Sequence, residues 1–111
     1  MNPLQKSANT ILNISTIKNN EVIYIKQIDY FYLEHCPHCK KADKMIADLQ
    51  AQHPEYQGVE IAKIEEKQNP LIAEKFDYFY VPCMFVEGVK LHEGVPTVEK
   101  IEAVLKAAIA E

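Results

Sequence analysis

The stretch from Ile28 to Lys40, IDYFYLEHCPHCK, changes character once, at Cys36. Before it, residues 28–33 are aromatic and apolar almost throughout, the composition of a strand buried on both faces. After it, Pro37 suits the first turn of a helix, where its missing N–H is no loss. Ala42, Met45, Ile46 and Leu49 then recur at i, i+3, i+4 and i+7, with Lys41, Asp43, Lys44 and Asp48 between them. That period predicts an amphipathic helix that ends before His53-Pro54. The pair Cys36-x-x-Cys39 therefore sits at a strand-to-helix corner.

Working outward, VEIAKI (59–64) predicts a second strand. NPLIAEKF (69–76) opens with Asn69 as N-cap and Pro70 at the first helical position, predicting a short helix. VPCMFVEGVKLHEG (81–94) reads as two short strands folded about Glu87-Gly88. Thr97 can cap a last helix, whose Val98, Ile101, Leu105, Ala108 and Ile109 form one apolar face. The order is βαβ, then α, then ββα. This is an α/β chain with a small mixed sheet carrying helices on both faces. Residues 1–24 stand apart as an N-terminal extension, and residues 25–111 form the domain. Within the extension, TILNISTI (10–17) either pairs with EVIYIKQ (21–27) across Lys18-Asn19-Asn20 or adds an edge strand. The string DYFY occurs at 29–32 and again at 77–80, but its flanks do not match, so there is no internal repeat.

The totals bound the function. A chain of 111 residues supports one packed core, and 48% hydrophobic with 25% charged residues is ordinary for a globular protein. Net charge is −4, and all 12 cations are Lys. Without Arg forks or a basic stripe, nucleic acid is a poor partner. No apolar run approaches the roughly 20 residues of a membrane span. The segment MNPLQKSANTILNISTIKNN makes a poor signal peptide. A cytoplasmic protein is expected, in which three cysteines read as catalytic, metal-binding or inert rather than as a disulfide framework.

At its corner Cys36 lies near the free N–H groups and positive dipole end of the helix, which favour a thiolate over a thiol. Cys39, one turn on and on the same face, is placed to attack a mixed disulfide formed at Cys36. Attack followed by resolution is thiol–disulfide exchange. Pro37 stiffens the turn, and His38 adds positive charge or a hydrogen bond near the Cys36 sulfur, so both tune the couple. Half of a zinc site is the competing reading of a C-x-x-C. His35, His38 and Cys83 are the remaining candidate ligands, no second C-x-x-C exists, and placement in a βαβ unit favours redox chemistry.

CPHCK after a hydrophobic strand, followed in order by VEIAKIEEKQNPLIAEKF and VPCMFVEGVKLHEG, resembles the thioredoxin superfamily over about residues 25–110. AKIEEKQNP (62–70) is similar to the family's central strand and following loop. Val81-Pro82, with Pro82 46 residues beyond Cys36, resembles its cis-proline. The resemblance implies a thioredoxin-like fold and a thiol–disulfide oxidoreductase without a bound cofactor. Cys36 would attack, Cys39 would resolve, and Val81 and Pro82 would shape the substrate groove opposite Cys36. Implied partners are disulfide-containing proteins, with a reductase or a low-molecular-weight thiol as electron donor. The expected state is a monomer acting as a net reductase.

The chain also departs from that pattern. Tyr30 stands where the family places a buried acid, and Asp29 is one residue off, on the other side of the strand. Lys63 matches the lysine that neighbours this acid, so its partner is missing. Glutaredoxins share Cys-Pro-x-Cys and Val-Pro and supply an alternative, a glutathione-dependent enzyme. Leu91-His92-Glu93-Gly94, however, stands where they carry a Gly-Gly pair. A further alternative is a zinc or iron–sulfur module on Cys36, Cys39 and Cys83. Cys83 itself reads either as a small buried residue or as a third thiol that modulates the pair. Tyr24, Phe31, Phe79 and Phe85 read as core or rim, Tyr78 and Tyr80 as candidate groove borders. Lys40-Lys41 and Glu65-Glu66-Lys67 read as solvated faces.

Overall fold

The computed structural model describes residues 14–18 and 21–110 and places side chains from Ile25 onward. Strands β1 (Ile14–Lys18) and β2 (Glu21–Tyr24) pair antiparallel as a two-stranded sheet of their own. Of the two arrangements open to the extension, the chain takes the hairpin. The rest of TILNISTI, with the whole of residues 1–13, and the Tyr24 side chain lie outside the described residues.

The second sheet contains β3 (Ile28–Tyr32), β4 (Ile61–Glu65), β5 (Cys83–Val86) and β6 (Val89–Glu93), in the order β4-β3-β5-β6. Strands β3 and β4 run parallel, from Ile28 opposite Ile61 to Tyr32 opposite Glu65. Helix α1 (Pro37–Gln52) makes the crossover between them. Strand β5 is antiparallel to β3, and β6 to β5. The β5–β6 turn places Glu87 at φ 51° and Gly88 at φ 80°. Two successive positive φ values fit a tight hairpin, and the glycine takes the second without a Cβ penalty. Helices α2 (Pro70–Ala73) and α3 (Val98–Ile109) complete the fold.

Alternation along β3 and β5 sends their side chains to two separate cores. On one face, Tyr30, Met84 and Val86 pack against Ala42, Ile46 and Leu49 of α1 and Ile101, Val104, Leu105 and Ala108 of α3. On the other, Phe31, Cys83 and Phe85 are covered by Ala73, Phe76 and Tyr78 from α2 and its exit. Phe31 is the hub of that side, with ring centroids of Phe76 at 4.7 Å, Tyr78 at 5.0 Å and Phe85 at 5.8 Å. A strand buried on both faces is thus what the aromatic run becomes.

Three expectations shift. Strand β3 stops at Tyr32, because the Leu33 carbonyl turns away to accept the Cys36 N–H at 3.2 Å. Helix α2 has four residues, and i→i+3 bonds (Lys75 N to Ile72 O, Phe76 N to Ala73 O) tighten its exit and swing Phe76 inward. Asn69 is its N-cap residue, as expected, and its carbonyl accepts the Ile72 and Ala73 N–H groups, but its side chain makes no capping bond. Its amide donates back to the Glu65 carbonyl at 3.0 Å instead. In α3 Thr97 does cap, accepting from Lys100 N at 3.1 Å, but Val98 in the first turn is exposed and Val104 takes its place on the buried face.

Because Phe31 is fully enclosed by three other rings, Phe31→Ala is expected to cost about 3–5 kcal/mol. Urea unfolding measures it, and a loss below about 1 kcal/mol would mean the aromatic side is not packed as described.

Candidate active site

Cys36 is the N-cap of α1, with extended backbone (φ −85°, ψ 114°), and its carbonyl accepts the Lys40 N–H at 3.1 Å. Its Sγ takes the place usually filled by a Ser or Asp oxygen and accepts the Cys39 N–H at 3.2 Å. Pro37 follows at the first helical position. His38 is exposed, and among the described contacts its ring makes no hydrogen bond to the Cys36 sulfur. Cys36 is half-buried, whereas Cys39, on the face that carries Ala42 and Ile46, is 2% exposed. Burial, reinforced by the hydrogen-bonded Cys36 and the charge of Asp43, pushes the Cys39 thiol up to about 12. The two sulfurs are therefore unlike: one reachable at the helix mouth, the other enclosed and protonated at neutral pH.

Opposite them the Val81–Pro82 peptide is cis, Pro82 is buried, and the Val81 carbonyl oxygen lies 4.0 Å from Cys36 Sγ. Sequence placed Cys36, Cys39, Val81 and Pro82 together, and the fold brings them to one corner. Cys83 does not join them. One residue past Pro82 on β5, it faces the aromatic core with Phe31 and Phe85, on the side of the sheet away from α1. Burial pushes its thiol up to about 12, with Glu93 the main charge acting on it. A three-sulfur cluster of Cys36, Cys39 and Cys83 is thus not assembled. Among the described residues, no three His, Cys, Asp or Glu side chains gather to hold a metal ion.

The lysine without a partner has one after all. Lys63 Nζ pairs with Asp43 Oδ2 at 3.1 Å, so the acid comes from α1, four residues past Cys39, rather than from β3. The same ammonium sits 4.5 Å from the Tyr32 ring centroid and 5.4 Å from that of Tyr30. Tyr30, wholly buried, donates its hydroxyl to the Cys39 carbonyl at 2.9 Å. Burial first, then the nearby Asp43 carboxylate, hold that phenol well above its ordinary value. The tyrosine thus ties β3 to the first turn of α1 without carrying charge.

Glu65, read as solvated, is 6% exposed. Its carboxylate accepts the N–H groups of Glu34 (3.0 Å), Lys67 (2.7 Å) and Gln68 (3.0 Å). One contact fixes the loop just ahead of Cys36, and the other two fix the turn after β4. Burial alone raises its carboxyl, but the three backbone donors outweigh it and hold the group below the usual carboxylate range. Glu65 also lines, with Leu33, Glu34, His35, Cys36 and Lys67, a hollow of about 380 Å³ beside the Cys36 sulfur. A sequence signal existed: five polar residues, Glu65 to Asn69, form a turn with no other obvious acceptor for its N–H groups.

A half-buried sulfur at a helix N-terminus, a protonated one a turn below it and a peptide carbonyl opposite define a thiol–disulfide oxidoreductase. The model of the thioredoxin domain matches residues 26–106. A thioredoxin from Methanocaldococcus jannaschii is 28% identical over 80 residues, 72% of this chain and 92% of that protein. Among solved structures, oxidised thioredoxin from Plasmodium falciparum superposes with a TM-score of 0.60 at 13% identity, covering 98% of this chain and 94% of the other. Oxidized thioredoxin O1 from Arabidopsis thaliana gives 0.57 at 22% identity, covering 78% and 79%. These superpositions show the fold. The chain belongs to the thioredoxin family.

Two outcomes follow from the charges. The Glu65 carboxyl lies below its ordinary 4.5 when folded, so its contribution is fully present above that pH and is lost as pH falls through the lower folded value. Melting temperature should therefore fall on acidification below 4.5, and Glu65→Gln should flatten that slope while lowering stability at pH 7. Equal acid slopes for the two proteins would contradict this. Asp43 adds to the upward push on Cys39, so Asp43→Asn should bring the Cys39 thiol down, read by thiolate absorbance in a Cys36→Ser background.

Proposed function

We propose that the chain reduces polypeptide disulfides by dithiol exchange, with Cys36 as nucleophile and Cys39 as resolving thiol. The Cys36 thiolate attacks one sulfur of the substrate disulfide. That S–S bond breaks, its second sulfur leaves with the electron pair and takes a proton, and a Cys36–substrate disulfide forms. Cys39 then loses its proton and attacks Cys36 Sγ, releasing the remaining substrate sulfur as a thiolate. The chain is left with a Cys36–Cys39 disulfide and has passed two electrons to the substrate. An external dithiol reductase or low-molecular-weight thiol restores the pair.

The observation that carries this reading is the inequality of the two sulfurs. Only Cys36 is open to an incoming disulfide, and the buried Cys39 is close enough that its own backbone N–H reaches Cys36 Sγ. Val81 and Pro82 supply the wall along which a substrate chain lies, and Pro37 and His38 tune the couple. With three cysteines, two in the reactive pair and Cys83 buried apart from it in the aromatic core, the chain carries its thiols for chemistry rather than as a disulfide framework, which favours a reducing compartment such as the cytoplasm.

Insulin reduction with dithiothreitol as donor tests the activity. Cys36→Ser should lose about a thousandfold or more, and Cys39→Ser, mixed with insulin in the absence of dithiothreitol, should accumulate a covalent adduct that added dithiothreitol releases. Activity retained in Cys36→Ser, or an adduct on Cys39 in its place, would falsify the assignment. Turnover that requires glutathione would instead favour the glutaredoxin-like reading.

A further inference from the structure

The loop from Asp77 to Val81 enters the cis peptide beside Cys36, yet it contains neither helix nor strand. Phe79 is 83% exposed and Tyr80 69%, so apolar packing does not anchor their side chains. What holds their backbone is a carboxylate on the neighbouring hairpin. Glu93, the last residue of β6 and opposite Cys83 in register, accepts the N–H groups of both Phe79 and Tyr80 on Oε2, the latter at 2.9 Å. Its Oε1 meets Lys90 Nζ at 2.8 Å, and the same ammonium donates to the Asp77 carbonyl at 3.2 Å. Two side chains of one strand thus fasten three backbone groups of the loop. Just beyond, Gly94 N donates to the Pro82 carbonyl at 3.0 Å, which ties the far side of the cis peptide to the same strand end.

We propose that Glu93, assisted by Lys90, is a positioning residue that sets the 77–81 loop beside Cys36 and thereby directs the enzyme toward extended polypeptide disulfides flanked by apolar side chains. This rests on the dithiol-exchange reading above. The chemistry of the loop gives the substrate class. Glu93 occupies the N–H groups of Phe79 and Tyr80, so at those positions the loop offers a partner its aromatic faces. Recognition there is by apolar contact, and the backbone of Val81, whose carbonyl already faces Cys36 Sγ, is left to align the chain. A small disulfide has no flanking residues to reach Phe79 or Tyr80 and gains nothing from the clamp. Lys90 and the two N–H donors hold the Glu93 carboxyl at about 2, so the clamp stays charged across the working pH range. The loss of an acceptor matters through binding, because a displaced loop forfeits contacts made equally with the bound and the reacting polypeptide, and such a loss is read in KM rather than in kcat.

The test pairs a disulfide-bridged polypeptide with dithionitrobenzoate, a small aromatic disulfide, using the full chain and Glu93→Ala, Glu93→Gln and Lys90→Met. Glu93→Ala should raise KM for the polypeptide about tenfold with kcat changed by less than about twofold, while the dithionitrobenzoate rate falls by less than about twofold. Lys90→Met should shift in the same direction by less. Glu93→Gln keeps one acceptor oxygen but sets an amide against Lys90, and should fall between them. In the same proteins, amide hydrogen exchange at Phe79 and Tyr80 should accelerate about tenfold while Met84 and Phe85 in β5 stay protected. If Glu93→Ala does not fold, the other two variants decide. An unchanged polypeptide KM in folded variants, or equal losses on both substrates, overturns the positioning role alone. A wild-type protein that turns over neither disulfide overturns the exchange reading, and this role with it.

Discussion

The peptide N–H of Cys39 donates to the sulfur of Cys36, and the geometry of the site follows from that bond. It makes the sulfur proposed to attack also the cap of the crossover helix. The start of α1, the exposure of Cys36 and the depth of Cys39 are consequently fixed by one element of local structure. A neutral thiol is a weak acceptor and a charged sulfur a strong one, so the contact gains strength with the charge that exchange chemistry needs. Tyr30 holds the same turn from beneath through the Cys39 carbonyl, so the cap rests on the sheet rather than on the helix alone.

Two carboxylates extend the same control to the loops on either side. Glu65, at the end of β4, secures the approach to Cys36, and Glu93, at the end of β6, secures the approach to Pro82. Both sit at strand termini, where the sheet is rigid, and both reach for backbone N–H groups rather than for charged side chains alone. Loops that must face a substrate cannot be anchored by burying their own side chains. An acceptor sent from the scaffold is the alternative, and here it is used twice. The Glu65 carboxyl lies below its ordinary range through its three N–H donors, and that of Glu93 through Lys90 first and its two N–H donors next.

Much of this was legible in the sequence because it depends on period and punctuation. The aromatic run of β3, the 3.6-residue stripe of α1, Glu87-Gly88 and Thr97 each announce an element through local chemistry. The cysteine pair and Val81-Pro82 were legible as motifs. What escaped depends on pairings across the fold. No local rule shows that Lys63 finds Asp43 on a helix, or that Glu65, within a charged run, lies buried with three N–H donors. The face taken by Cys83 was readable only once the strand register was known. Alternation with Phe85 then places it in the aromatic core, away from the pair it follows in sequence.

That placement gives the protein an internal reporter. A sulfur shut beneath Phe31 and Phe85, held as a thiol by burial, reacts with an alkylating reagent only when that side of the sheet opens. Its slow modification, set against the faster labelling of the half-buried Cys36 sulfur, would time the breathing of the aromatic layer in the native molecule. A bystander to the chemistry thus becomes a clock for the fold.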